Sequence, residues 1–154
     1  MEFARVVFIA FVFSLSLVSE AKQIKGESLI FDIPGNINYQ SVDGVEGYIF
    51  EWKEKQSEIQ FYIGRNELGL SMDKLESMAD LLVKLQGAVK EEVRIGVFEG
   101  FVVKVKETDI SGVEQNQWNF TLTTGDTIWG GSLSGAGKKS QRIVNSILEN
   151  AKKR

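Results

Sequence analysis

Short runs in which every second residue is apolar, separated by turn residues, recur through the chain and dictate a sheet built from hairpins. Tyr48, Phe50 and Trp52 lie on one face of such a run, with Glu51 and Lys53 on the other. Ile59, Phe61 and Ile63 alternate in the next run, which Gly64 closes. Trp118, Phe120 and Leu122 alternate with Asn119, Thr121 and Thr123. Successive side chains of a strand point to opposite faces, so each run reads as a half-buried strand. Phe101, Val103 and Val105 face one way in a further run, with Lys104 and Lys106 toward water.

Turn chemistry joins these runs. Asp43-Gly44 separates Asn38–Val42 from Val45–Lys53, Glu99-Gly100 separates Val93–Phe98 from Phe101–Thr108, and Gly125-Asp126 separates Trp118–Thr123 from Thr127–Leu133. Dipeptides of this kind favour two-residue hairpin loops. An earlier strand, Ser28–Ile33, ends at Pro34-Gly35, and Asp109–Asn116 reads as a polar loop.

Two segments change period. Leu75, Met78, Ala79, Leu82 and Leu85 recur at three and four residues, predicting a helix capped by Ser71 and stopped by Gly87. Ile143, Val144, Ile147, Leu148 and Ala151 predict a second helix, with Lys152, Lys153 and Arg154 at its negative end. The resulting order, β-β-β-β-α-β-β-β-β-α, predicts an α+β fold. It is a single antiparallel sheet of about six to eight strands, with two amphipathic helices packed on one face.

The first 21 residues read as a cleaved secretory signal: Arg5, an apolar run from Val6, and small residues at Ser19 and Ala21. The apolar core of about 13 residues is too short to span a bilayer, which takes ~20. Residues 22–154 then form one domain, exported and soluble, with the bacterial periplasm as the expected compartment and no stable membrane insertion. The net charge of −3 provides no basic field for nucleic acid. The chain has no Cys and no His. That excludes the usual zinc sites, haem ligation by His or Cys, and Ser-His-Asp or Cys-His catalysis.

The segments Phe31-Asp-Ile-Pro-Gly35 and Ile95-Gly-Val-Phe-Glu-Gly100-Phe101, the helix at Ser71, and the closing Ile143-Val-Asn-Ser-Ile-Leu148 resemble the PsbP-like fold. That superfamily includes the extrinsic photosystem II subunit, a Ran-release factor and several bacterial periplasmic proteins, some of them immunity proteins. The resemblance covers nearly all of residues 28–153. It implies a fold and an exported, non-catalytic member, but no catalytic residue.

Other candidate chemistry is thin. Gly130–Ser140 is rich in glycine, but Gly131 stands one residue too far from Gly137, and Lys139 occupies the hydroxyl position of a phosphate loop. It reads as a linker, with at most a weak anion site beside Lys138 and Lys139. Glu46, Glu51, Glu54, Glu58, Glu99 and Glu107 could supply a carboxylate pair for hydrolysis, but most alternate with core residues as a solvated face. Asp109–Glu114 lacks the ligand spacing of a calcium loop. No catalytic residue, cofactor or metal is expected.

The reading favours a protein-binding domain of inhibitor, immunity or envelope-accessory type, whose partner is another exported or envelope protein. Its docking residues are expected on the exposed sheet face and loops: Arg65, Asn66, Glu67, Asp109, Glu114 and Gln115. Trp129 is added as an exposed aromatic anchor, with Trp52 and Trp118 in the core. Two alternatives are a carrier of a small apolar ligand lined by Met72, Met78 and phenylalanines, and a carboxylate-based hydrolase.

Overall fold

The alternating runs form strands in the computed structural model, which describes residues 20–154 apart from Asp109, Val113, Ala136 and the Glu107 side chain. The expected signal segment lies almost wholly outside the described residues. The elements are β1 (Lys22–Lys25), β2 (Leu29–Ile33), β3 (Asn38–Ser41), β4 (Gly47–Glu54), β5 (Ser57–Arg65), α1 (Met72–Gln86), β6 (Val89–Ile95), β7 (Phe98–Thr108), β8 (Glu114–Thr123), β9 (Ile128–Ser134), α2 (Lys138–Glu149) and β10 (Lys152–Lys153). The fold is α+β, as the hairpin pattern requires.

The strands make two sheets, which corrects the single sheet expected. Seven strands run in the order β3-β4-β5-β9-β8-β7-β6, and three more form β1-β2-β10. Every pairing is antiparallel. The second sheet was missed because its outer strands are short and polar. Lys152 and Lys153, expected at a helix terminus, pair with Ile30 and Leu29. Lys22–Lys25 pairs along the other side of β2.

The helices lie on opposite faces of the large sheet, which corrects the expectation of one shared face. Met72, Leu75, Ala79 and Val83 of α1 pack with Phe101 and Val103. Val144, Ile147 and Leu148 of α2 pack with Phe98, Val102 and Phe120, together with β2 and the inward residues of β4, β5 and β9. Val102 stands between Phe101 and Val103 in one strand, so the two clusters occupy opposite faces. The larger core carries a run of rings, with centroids 5.5 Å apart for Phe31–Phe50, 6.1 Å for Phe50–Phe61 and 5.7 Å for Phe61–Phe120. These are distances at which aromatic pairs attract.

Caps and turns follow the sequence in most places. Ser71 accepts from the Lys74 amide, and Gly87 closes α1 in the left-handed conformation at φ 65°. The Thr124 amide donates to the Thr127 carbonyl and closes the Gly125-Asp126 turn. The β3–β4 connection is wider than two residues, because β3 ends at Ser41 and β4 begins at Gly47, leaving Val42–Glu46 as loop. The β6–β7 turn falls at Gly96-Val97, since Ile95 pairs with Phe98. Gly100 lies inside β7 at φ 155°, where a Cβ would come 2.1 Å from the Thr121 carbonyl oxygen. Its glycine therefore serves a close strand approach, not a turn. The expected polar loop is shorter than read, because Glu114 already pairs with Thr108.

Candidate functional site

The expected docking residues fall at two ends of the large sheet. Arg65 ends β5 beside the β3–β4 loop, whereas Glu114 begins β8 near Ser57 and Ser134. β5 has nine residues, which separates its ends by roughly 30 Å. Asp109 lies outside the described residues. Trp129 is fully buried, with its indole N–H donating to Thr124 Oγ1 at 3.3 Å. The expected exposed anchor is therefore a core residue, because it shares a face with Leu133, and α2 and β2 cover that face.

Arg65 and Glu67 line an open cleft of about 720 Å³ with Gly26, Glu46 and Tyr48. Glu46 is the residue around which this end of the molecule is organised. Its side chain is 2 % exposed. Oε1 accepts from the Ser28 amide at 2.8 Å, the Leu29 amide at 3.3 Å and the Tyr48 hydroxyl at 3.2 Å. The Arg65 guanidinium donates to Ser28 Oγ at 2.8 Å and stands 3.9 Å from Glu46 Oε2. Glu46 Oε2 and Arg65 Nε are buried with no hydrogen-bond partner among the described residues. Burial alone would raise the Glu46 carboxyl, but the Ser28, Leu29 and Tyr48 donors outweigh it and hold the group below its ordinary value. Burial first, then the Glu46 charge, pushes the Tyr48 phenol well above its own.

The cluster joins the two sheets: Ser28 precedes β2 and Leu29 opens it, Tyr48 belongs to β4 and Arg65 to β5. Asn66 adds a local turn, its Oδ1 accepting from the Leu68 amide at 2.9 Å. An ionised Glu46 is the wrong state for a general acid. The arrangement suits a structural tie more than a reaction.

Glu114 and Gln115 line a second cleft of about 610 Å³ with Glu54, Glu58 and Gly137. Beneath it the Trp52 indole donates to Ser140 Oγ at 2.9 Å, and Ser140 donates in turn to Glu54. This chain ties the start of α2 to β4. A third cleft of about 410 Å³ lies along Lys104 and Trp118, with the Lys104 ammonium 4.5 Å from the Trp118 ring centre.

The least expected feature is α1. Met78, Leu81, Leu82 and Leu85 are 49 %, 57 %, 44 % and 72 % exposed. Their spacing of i, i+3, i+4 and i+7 makes one continuous apolar stripe. Of the residues whose period predicts the helix, Met78, Leu82 and Leu85 are therefore exposed, while Leu75 and Ala79 are packed. The buried line is instead Met72, Leu75, Ala79 and Val83. The signal was present in the sequence, since α1 carries twice as many apolar side chains as one packed face uses. The same finding separates Met72, which is packed, from Met78, which is in solvent, so the two do not line a shared pocket. Among the described residues no helix is long and apolar enough to cross a membrane.

No protein-family model matches the chain, and no curated protein sequence matches it. A crystal structure of a protein from Bacteroides thetaiotaomicron VPI-5482 is similar, with a TM-score of 0.56 and 13 % identity over 90 % of this chain. The chain spans about half of that protein's length, 49 %. At this identity the likeness is one of fold alone.

Proposed function

We propose that the chain is an exported, non-catalytic protein-binding domain of inhibitor, immunity or envelope-accessory type, which docks its partner through the apolar stripe of α1. One observation carries the reading: four large apolar side chains of one helix, Met78, Leu81, Leu82 and Leu85, stand 44–72 % in water. Contiguous exposed apolar surface marks interaction sites, because leaving it in water costs free energy that a partner recovers. The resemblance to PsbP-like proteins, and the secretory pattern of the first 21 residues, support the same reading. The expected loop residues Arg65, Asn66, Glu67, Glu114 and Gln115 take secondary places, at the two ends of the sheet.

The test is affinity capture from envelope extract at physiological salt, using residues 22–154 as wild type and as the Leu82→Glu/Leu85→Glu double variant. A partner retained by the wild type and lost by the folded double variant supports the reading. Equal retention by both, or none by the wild type, overturns it.

A further inference from the structure

We infer that the partner presents a single amphipathic α-helix, which lies beside α1 on the uncovered face of the large sheet. The inference rests on the protein-binding reading above and specifies what occupies the surface.

The stripe does not point straight out from the sheet. At 100° per residue its centre lies a little under a third of a turn from the buried line of Met72, Leu75, Ala79 and Val83. It therefore faces sideways, along the sheet. Lys90, on the edge strand β6, bonds Glu76 at 2.9 Å and Asp80 at 2.5 Å. The polar flank of α1 is thus turned toward β6, and the apolar flank toward β8 and β9.

The register identifies the floor on that side. Val103 stands opposite Asn119, Asn119 opposite Ser132, and Ser132 opposite Tyr62. The next row runs Phe101, Thr121, Gly130 and Gly64. α1 sits on Phe101 and Val103, so both rows continue out from under it as small or uncharged polar residues. A Cβ added at Gly130 would meet nothing within 4 Å. Four strands, β9, β5, β4 and β3, extend the sheet beyond β8, a width of about 19 Å at 4.8 Å per strand. A helix packed 8–10 Å from α1 would be centred over β9, two strands from β7.

The result is a shelf with an apolar wall and a neutral polar floor. Its complement is a helix with Leu-, Met- or Ile-type residues toward the wall and Ala, Ser or Gly toward the floor. Lys74 extends the N-terminal end of the stripe and has no ion pair among the described residues, so an acidic residue on the partner helix fits there. A flat bilayer is a poorer occupant. A flat surface on the crown of α1 would meet Ser77, Lys74 and Lys84 beside Leu81 and would leave Leu82, on the flank, out of reach.

The experiment places a photoreactive phenylalanine at Leu85, on the wall, or at Ser132, on the floor, in the full chain made by its native host. Adducts are mapped by mass spectrometry, and the captured segment is synthesised as a peptide for anisotropy titration. The expected result is that both positions capture the same helical segment of one partner, at sites three or four residues apart. Leu82→Glu and Ser132→Trp should each weaken the peptide about tenfold or more while the thermal midpoint holds. Adducts to lipid or to a second copy of this chain overturn the inference. Loss with Leu82→Glu but not with Ser132→Trp also overturns it while leaving the docking reading intact. No adduct at either position, or no effect of either substitution, overturns both.

Discussion

At Gly26 an added Cβ would stand 1.7 Å from the Tyr48 hydroxyl oxygen and 2.5 Å from Glu46 Oε1. Both atoms belong to the tie between the sheets, so a side chain there must displace it. Gly26→Ala should cost about 1–3 kcal/mol, read as a lower midpoint in urea with an unchanged slope. Glu46 makes a pH-dependent prediction at the same place. Its carboxyl is held below its unfolded value, so its contribution to stability is complete above that value, near 4.5. The contribution is lost as pH falls through the lower folded value. Glu46→Gln should be less stable than wild type at pH 7 by roughly 1–3 kcal/mol. It should also show a shallower loss of stability below pH 4.5 in denaturant titrations over pH 2–7. A parallel acid limb in the two proteins would show that Glu46 does not drive it. Arg65, Glu46 and Tyr48 are each legible in the sequence only separately, as a loop residue, one of six carboxylates expected on a solvated face, and a strand residue; their association is not. Ser28, Glu46 and Tyr48 are brought together by pairings between separate strands, and no local pattern announces that.

The helices show where sequence periodicity informs and where it stops. For α2 the apolar stripe and the buried stripe coincide: Val144, Ile147 and Leu148 are in the core. For α1 they do not. A stripe wider than one packed face cannot say which part of it is buried; only the neighbouring strands settle that, through Phe101 and Val103. The consequence is measurable. Leu82→Glu should change stability by no more than about 0.5 kcal/mol, as exposed substitutions do, whereas Phe101→Ala beneath the same helix should cost about 3–5 kcal/mol. Thermal or urea unfolding of the two variants distinguishes them. Strand positions were legible from alternation, and the Gly125-Asp126 turn from its residue types. The β6–β7 turn was misplaced because Gly100 resembles a turn glycine and is instead a point of close strand contact.

For the molecule as a whole, the class was legible and the layering was not. Alternation and helical period are local signals, and they gave an α+β fold with the helices in the right places. The second sheet depends on strands of four and two residues, Lys22–Lys25 and Lys152–Lys153, which carry too few apolar positions to show a period. Their contribution comes from pairing with β2, whose Leu29, Phe31 and Ile33 are fully buried. Lys152→Pro removes a backbone donor within β10 and should unlatch it. Amides of Leu29–Ile33 should then exchange faster than in wild type, while those of β8 and β9 keep their protection. Uniform loss across both sheets would show instead that the molecule opens as one unit.

The ladder between β2 and β10 also has a bearing on time. Lys152 meets Asp32 across 120 positions of sequence, so β2 gains its second neighbour only after both helices and the large sheet's strands have been made. Contacts this distant form late, because the intervening loop must close first. Until β10 has been made, the small sheet stays one strand short, although every strand of the large sheet is already present.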